Sequence, residues 1–166
     1  MKVVVTGLVA AAVLCASMSE ARAVDVLSTF ATNAVGNCQG ALPVYEALIR
    51  KRPLAIVNEG TQNAFVICAF TSEQLSLGIT AYGTRLTNTS AIPQTVTCTG
   101  VTGEEGSAQY FVKAVGLPPG ESRRIEFSFL LDNLGILFDS RLSLSCRLPP
   151  GVGLNDNSVT TLIAVV

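Results

Sequence analysis

The stretch PLAIVNEGTQNAFVICAF, residues 53–70, is matched in pattern by TRLTNTSAIPQTVTCTGV, residues 84–101. In each copy an apolar, alternating run reaches an Asn (Asn58 or Asn88), crosses a polar turn segment and enters a second alternating run. The second run carries a Val-x-Cys whose cysteine lies ten residues after the Asn. Alternation with a period of two on both sides of a turn is typical of paired strands. The repeat therefore predicts two similar hairpins and an all-β chain.

The same alternation continues along the chain, and turn residues interrupt it at short intervals. Each Pro-Pro-Gly, in LPPGES and RLPPGVG, predicts a strand reversal, because Pro fixes φ at the first turn position and Gly supplies a positive φ. We predict one antiparallel β-sandwich of about eight strands, with a jelly-roll or immunoglobulin-like arrangement. The predicted strands are residues 54–58, 64–70, 77–87, 94–101, 108–117, 123–130, 141–148 and 159–165.

The alternation alone leaves open which face of each strand is buried. One choice points these side chains inward: Phe65, Ile67, Ile79, Ala81, Val96, Tyr110, Val112, Ile125, Phe127, Phe129, Leu142, Leu144 and Leu162. A glycine inside a strand often marks a bulge or bend, which we predict at Gly83. The segment LNDNS, residues 154–158, is predicted to be a turn. The pattern does not decide whether residues 24–30 form a short strand or an irregular segment. It also does not decide whether residues 43–51 form a helical turn or a strand.

The first 23 residues have the features of a secretory signal peptide. One Lys precedes an apolar stretch over residues 3–17, and Ala21-Arg22-Ala23 ends the segment, so we predict cleavage after Ala23. The stretch is too short for a transmembrane helix, which needs about 20 apolar residues. Cys15 would be lost with the signal. We therefore expect a secreted or periplasmic chain of residues 24–166, folded as a single domain with no membrane span.

Composition excludes several functional classes. Residues 24–166 carry nine Lys and Arg against eleven Asp and Glu, a formal charge of −2, and the chain has no Trp, so nothing resembles a basic, aromatic nucleic-acid surface. The whole chain contains no His. A Ser-His-Asp triad, a Cys-His dyad and an imidazole metal site are therefore impossible. We predict no enzyme activity, no cofactor and no metal site.

Four cysteines remain after Ala23, an even number in an exported chain, and they predict two disulfides. Their spacing contains no Cys-x-x-Cys, which argues against zinc. Cys68 and Cys98 hold equivalent places in the repeat, so each should pair with a cysteine outside it. Of the three possible connectivities we predict Cys38 with Cys68 and Cys98 with Cys146, because Cys38 precedes the first copy and LSLSC supplies a strand on which Cys146 can lie beside Cys98.

Only carboxylates remain as candidate catalytic groups. The pairs to consider are Glu104 with Glu105, Glu121 with Glu126, and Asp132 with Asp139. Paired acids of a glycosidase lie about 5–10 Å apart across a cleft, and we favour the simpler interpretation of solvated turn charges. A single acid in LNDNS is too little for calcium. Arg50-Lys51-Arg52 could bind phosphate or lipid head groups, but we favour three solvated charges that guard a strand edge.

The segment SFLLDNLGILF, residues 128–138, is the most apolar connection between predicted strands. It could be a buried crossover that covers one end of the sandwich. It could also be a loop that binds a partner, because exposed apolar residues gathered in one place mark interaction sites.

At NCQGALPVYEALIRKRPLAIVNEGTQNAFVICAF (37–70), TVTCTGV (95–101) and LSCRLPPGVG (144–153), the chain resembles an uncharacterised family of short secreted proteins of Gram-negative bacteria with four cysteines in the mature chain. The resemblance covers most of residues 24–166. It implies an exported β-sandwich with cysteines at Cys38, Cys68, Cys98 and Cys146, and it implies no activity.

The sequence names no substrate. It favours a binding or structural component of the cell envelope or secretome with a protein or glycan partner. The alternatives are a fimbrial or adhesin-type subunit, whose strand would come from a neighbour, and a carboxylate-dependent hydrolase of the envelope. The N-terminal residues Val24, Val26 and Thr29 are a poor candidate for a donated strand. A protein inhibitor is a further possibility that the sequence leaves open.

Overall fold

The computed structural model describes residues 24–70 and 78–165, so the predicted signal peptide lies outside the described residues. Two antiparallel sheets pack face to face, which confirms the predicted β-sandwich. Within the described part of the chain, no helix is both long and apolar enough to cross a membrane. The strands are β1 (Val24–Asn33), β2 (Cys38–Gly40), β3 (Ile49–Arg52), β4 (Ala55–Asn58), β5 (Ala64–Phe70), β6 (Gly78–Asn88), β7 (Gln94–Thr102), β8 (Gln109–Leu117), β9 (Ser122–Ser128), β10 (Leu142–Leu148) and β11 (Val152–Val165), and the short helices are α1 (Ala34–Asn37), α2 (Pro43–Glu46) and α3 (Phe129–Asp132).

The strand order is that of a jelly roll. Sheet A runs β3-β4-β11-β6-β9, with β1 also paired to β11, and sheet B runs β2-β5-β10-β7-β8. Strands β4, β5, β6 and β7 therefore pair with β11, β10, β9 and β8 in turn, as in one long hairpin rolled over into two sheets. Eight strands in this arrangement define a jelly roll. The topology thus decides between the two arrangements that the sequence left open.

The predicted number of strands was too low, because three strands precede the jelly roll in the segment that the pattern left open. Residues 24–33 form one long strand, and residues 43–51 contain both alternatives, helical turn α2 and the start of strand β3. Strand β9 ends at Ser128 rather than at residue 130. The predicted turn at 154–158 was also wrong: this segment is a bulge within β11, where the pairing with β6 shifts register.

The two copies of the repeat are not hairpins, and that prediction was wrong. Strands β4 and β6, which begin the copies, lie in sheet A, whereas β5 and β7, which end them, lie in sheet B. Each copy is an arch that carries the chain from one sheet to the other. A period-two pattern is the same in a hairpin and in an arch, so the sequence could not separate them.

Asn58 holds the first arch together. Its side chain is fully buried, and Nδ2 donates to the carbonyl of Gln62 within the arch (2.7 Å) and to that of Leu148 at the end of β10 (2.8 Å). Its Oδ1 accepts from the backbone N–H of Gly60 (3.0 Å). The amide therefore closes the arch and joins it to the neighbouring corner.

Asn88 makes the equivalent contacts in the second arch. It is also fully buried, and Nδ2 donates to the carbonyls of Ile92 (2.8 Å) and Leu117 (2.9 Å), while Oδ1 accepts from the N–H of Ser90 (2.9 Å). The repeated Asn thus has a structural role, which is to satisfy backbone groups that a sheet-to-sheet corner would otherwise bury without partners.

The two Pro-Pro-Gly turns complete these corners. Leu148 and Leu117, which accept from the two Asn side chains, are each followed by Pro-Pro-Gly. The glycine of each turn, Gly151 or Gly120, donates its N–H back to the carbonyl of Asn58 or Asn88, at 2.8 Å in both cases. One end of the sandwich is therefore built twice from the same two parts, an Asn arch and a Leu-Pro-Pro-Gly turn.

Both disulfides lie inside sheet B and have the predicted connectivity. Cys38 on β2 is bonded to Cys68 on β5, and Cys98 on β7 to Cys146 on β10. Each pair consists of directly opposed residues in neighbouring strands, with Cα atoms 4.0 and 4.1 Å apart. All four side chains are buried in the core.

The predicted inward face was wrong on two strands. On β5 the buried side chains belong to Ala64, Val66, Cys68 and Phe70, whereas Phe65 and Ile67 lie on the outer face. Tyr110 and Val112 on β8 are exposed in the same way. The inward prediction is confirmed for Ile79, Val96, Ile125, Phe127, Leu142 and Leu144, which are buried. Ala81, Phe129 and Leu162 are half-buried.

Gly83 allows close approach of two strands of sheet A. It pairs regularly with Glu126 on β9 and Ser158 on β11, so of the predicted bulge or bend the bulge is wrong. A Cβ atom added there would overlap the carbonyl oxygen of Ile125 and lie 2.8 Å from the Cα of Glu126. Since those atoms belong to the backbone, the strand itself would have to move.

We expect Gly83→Ala to lower the free energy of unfolding by about 2–3 kcal/mol, because overpacking against backbone forces the sheet apart. Gly116→Ala is the matched control, since a Cβ at this strand glycine meets no atom within 4 Å. It should be neutral or slightly stabilising. Chemical denaturation of both variants measures the difference, and equal stabilities would show that β9 does not approach β6 this closely.

Candidate binding loop

The apolar segment lies in the connection from β9 of sheet A to β10 of sheet B, where residues 129–138 form a loop. Phe138 anchors it: this side chain is buried, meets the rings of Tyr82 and Phe111 edge to face at 5.0 and 5.5 Å, and its N–H donates to the carbonyl of Ile79 (2.9 Å). Edge-to-face aromatic pairs add to the stabilisation from burial. The end of the loop is therefore fixed on the core.

The start of the loop is held by a half-buried ion pair. Asp132 accepts from Lys113 Nζ (2.8 Å) and from the N–H of Ser128 (2.7 Å), so its carboxylate closes the turn α3. The same ammonium donates to the carbonyl of Glu126 (2.7 Å) and lies 5.4 Å from the ring centre of Phe127. Lys113 thus joins strands β8 and β9, which belong to different sheets, to the base of the loop.

One side-chain and one backbone hydrogen bond fix the tip between these anchors. Asn133 is buried and donates through Nδ2 to the carbonyl of Ile136 (2.9 Å), and Gly135 donates its N–H to the carbonyl of Phe129 (2.8 Å). Leu134 and Gly135 adopt left-handed conformations, with φ of 53° and 83°. A left-handed conformation costs a leucine roughly 1–2 kcal/mol, whereas glycine adopts it freely.

Four large apolar side chains on this fixed loop face solvent. The exposed fractions are 66% for Leu130, 83% for Leu131, 94% for Leu134 and 62% for Ile136. Residues 133–138 contain no charged residue. A wholly buried crossover, one of the two alternatives for this segment, therefore does not describe the tip, and the other alternative, a loop that binds a partner, stays a prediction.

A buried phenol lies beneath the loop. Tyr82 stacks on Phe127 at 5.3 Å and meets Phe70 and Phe138 edge to face, and its hydroxyl has no hydrogen-bond partner within the described residues. Burial raises the pKa of Tyr82, and the nearby negative charge of Asp132 raises it further. The phenol thus stays neutral at physiological pH, and it acts as a packing group of the core.

A cleft of about 320 Å³ lies beside the loop and brings together two of the predicted carboxylates, though not as the predicted pairs. Arg141 separates them: it binds Asp139 through Nε and Nη2, both at 2.9 Å, and Glu104 through Nη1. The two acids therefore face one guanidinium rather than a shared open space. Glu105, the predicted partner of Glu104, is exposed at the neighbouring turn.

The remaining predicted charged sites are also ion pairs on the surface. Glu121 binds Arg123 (3.0 Å), and Glu126 lies 4.0 Å from Arg124. Asp156 of LNDNS binds Arg124 (3.2 Å) and Arg85 (3.1 Å), across the outer face of sheet A. No group of three His, Cys, Asp or Glu side chains suited to a metal occurs within residues 24–70 and 78–165.

The three basic residues lie on β3, an edge strand of sheet A, as the guarding interpretation requires. Arg52 pairs with Glu59, and Arg50 donates to the carbonyl of Ile49 (3.0 Å). Sequence reasoning found the apolar loop but missed what fixes it. Lys113 lies within an alternating strand and gives no signal of its contact with Asp132, and the left-handed Leu134 could have been suspected only from the following Gly.

No family model matches the sequence, and no curated protein matches it. The sandwich is similar to part of an exo-β-1,3-galactanase from Phanerochaete chrysosporium solved with galactose (12% identity, TM-score 0.45), covering 80% of this chain and 29% of that one. It is also similar to a family 11 carbohydrate-binding module from Clostridium thermocellum in complex with a mixed-linked tetrasaccharide (8% identity, TM-score 0.37), covering 84% of this chain and 88% of that one. A third similar structure is a protein of the disulfide-linked pili of Bacillus endospore appendages (11% identity, TM-score 0.38), covering 97% of this chain and 100% of that one. At these identities and TM-scores, no ligand or assembly is transferred to this chain.

Proposed function

We propose that this protein is an exported, non-catalytic binding or structural component that recognises an apolar surface of a protein partner through the loop at residues 129–138. The carrying observation is the exposure of Leu130, Leu131, Leu134 and Ile136 on a loop that is fixed at both ends. Folding alone gives no reason for leucine at position 134, where the backbone favours glycine or asparagine and the side chain is solvated. The apolar tip is explained if a partner covers it.

Chemistry at the tip favours a protein over a sugar. Recognition of a glycan needs free hydrogen-bonding groups beside aromatic rings, whereas the polar groups of Asp132, Asn133 and Gly135 already bond within the loop. The outer face of sheet B is the better surface for a glycan, since it presents Tyr110 opposite Val101, with Thr99 at the next outward position of β7. We take a glycan partner there as the second candidate.

A catalytic role is less well supported, because the acids that converge in the cleft are both bound to Arg141. A glycosidase of this size would need one free carboxylic acid and one free carboxylate across its cleft. The export that we propose is supported by the two buried disulfides, which persist in oxidising compartments.

The test compares the loop with an equally apolar surface elsewhere. We expect Leu131→Ser together with Leu134→Gly to reduce recovery of a bound envelope or secreted protein at least about tenfold, since each buried leucine is worth about 1.5–3 kcal/mol. Unfolding stability should be unchanged or higher, because a glycine at position 134 adopts the left-handed conformation without strain. Quantitative mass spectrometry after capture on the immobilised protein gives the first readout and thermal unfolding the second.

The matched control is Leu42→Ser, at the residue before α2, with Val44→Ser in α2, where the side chains are 56% and 63% exposed. It should leave recovery unchanged. Partners that are lost equally with both double variants, or with neither, would contradict binding by the loop. A glycan array probed with wild type and Tyr110→Ala tests the second candidate, which fails if the two give the same signals.

A further inference from the structure

Strand β1 lies at an edge of sheet A and differs from the other edge strands in length and charge. It forms a ten-residue antiparallel ladder with β11, from Val24 opposite Val165 to Asn33 opposite Asp156. Among residues 24–70 and 78–165, β11 is its only pairing partner, so the backbone N–H and C=O groups of its other edge take part in no ladder there. Between Val26 and Asn33 no side chain of β1 is buried.

The other edge strands carry features that oppose pairing with another chain. Strand β3 contains Arg50, Lys51 and Arg52, and β2 has only three residues. Strand β9 contains Arg123, Arg124 and Glu126. Strand β8, the edge strand of sheet B that faces β9, contains Lys113, whose ammonium donates to a carbonyl of β9. Charges and short length are the usual protection of sheet edges.

Strand β1 lacks this protection over residues 26–33, which contain no charged residue and no proline. A long, regular, uncharged edge is a template for a further strand. Sequence complementarity identifies the occupant. Antiparallel pairing of two β1 strands about Ser28 places Val26 opposite Phe30 and Leu27 opposite Thr29, twice each by symmetry.

That register also suits the faces and the charges. Val26, Ser28 and Phe30 share one face of the sheet, because they oppose Ile163, Thr161 and Val159 in the ladder with β11. Apolar residues therefore meet across the new pair, an arrangement that stabilises strands. The two Asp25 positions oppose Ala31 rather than each other. A two-fold interface of this kind is closed and self-complementary.

We propose that two copies of the chain associate through antiparallel pairing of their β1 strands, which joins both A sheets into one continuous sheet. This surface is separate from the loop at residues 129–138. The partner is thus a second copy, recognised by backbone hydrogen bonds along residues 24–32 and by the side-chain pairs named above.

Charge substitution on the exposed outer face of β1 tests the pairing. Leu27 and Thr29 oppose each other across the two-fold axis, so Leu27→Lys with Thr29→Lys places four ammonium groups together in the dimer. Leu27→Glu with Thr29→Glu does the same with carboxylates. We expect the wild type to sediment as a dimer at micromolar concentration, and each double variant to raise the dissociation constant at least about tenfold, since directly opposed like charges destabilise strand pairing.

An equimolar mixture of the lysine and glutamate variants should restore the dimer, which loss of folding could not do. Val112→Lys with Ala114→Lys, on the outer face of edge strand β8, is the matched control and should leave the dimer intact. Analytical ultracentrifugation of the purified, disulfide-bonded protein gives all of these measurements. A wild-type monomer at about 100 µM, dissociation by the β8 variant alone, or failure of the mixture to associate would overturn the proposal.

Discussion

Removal of either disulfide should lower the free energy of unfolding by about 4 kcal/mol, as measured by urea denaturation of Cys38→Ala with Cys68→Ala and of Cys98→Ala with Cys146→Ala. The bonds join cysteines that are 30 and 48 residues apart in the sequence. Cross-links over such distances strongly restrict the conformations of the unfolded chain. Because a domain of this size is stable by only about 5–15 kcal/mol, loss of both bonds should leave little folded protein.

The control lies on β7 and β10, the two strands that carry the second disulfide. Ser145 and Thr99 are directly opposed on β10 and β7, one position along from Cys146 and Cys98. Their replacement by alanine should change stability by less than about 1 kcal/mol, since surface substitutions have small effects. A loss below about 1 kcal/mol for the cysteine variants would show that the covalent links do little to restrict the unfolded chain.

Loss of an arch asparagine should also be severe. Asn58→Ala removes one acceptor and two donor contacts and leaves the carbonyls of Gln62 and Leu148 and the N–H of Gly60 without their partner. The carbonyl of Leu148 is buried and costs about 1–3 kcal/mol when unsatisfied, and each of the two partly buried bonds is worth about 1 kcal/mol, so we expect a loss of about 3–4 kcal/mol in denaturant unfolding. Asn88→Ala should cost a similar amount, because the same contacts recur around it.

Asn37→Ala provides the comparison, since Asn37 makes a single side-chain bond to Thr32 in an exposed setting (2.7 Å). Its loss should cost less than about 1 kcal/mol. Asn58→Asp should be at least as damaging as Asn58→Ala, because an oxygen would then face two carbonyl oxygens. The structural role of the repeat would be refuted if Asn58→Ala and Asn37→Ala had equal stabilities.

Sequence pattern predicted the sandwich, most of its strands and the cysteine pairing, because alternation and turn chemistry are local. The pattern could not assign strands to sheets, since the residues around Asn58 alternate in the same way in an arch and in a hairpin. Side-chain size also misled: Phe65 is larger than Ala64 and yet lies outside, where Tyr45 packs on its ring at 5.5 Å. That contact depends on α2, which the pattern left open.

The candidate loop was predictable in position but not in form. Its apolar sequence is compatible with burial or exposure, and only the contacts of Phe138, Asp132 and Asn133 decide which side chains face inward. Strand β1 was one of the two alternatives that the pattern left open for residues 24–30, and the pattern could not decide for a similar reason. Within the described residues this strand pairs only with β11, and its side chains from Val26 to Asn33 are not buried. Such a strand does not require an alternating apolar sequence.

The position of β11 has a consequence for the order in which the chain can fold. This strand is the last in the described sequence, yet it lies in the middle of sheet A and is the shared neighbour of β1, β4 and β6. Those strands begin at Val24, Ala55 and Gly78, and within the described residues they have no ladder with one another. Sheet A can therefore be completed only after residues 152–165 have been made. Contacts so distant along the chain slow folding, and until they form, sheet A cannot fully cover the inner face of sheet B.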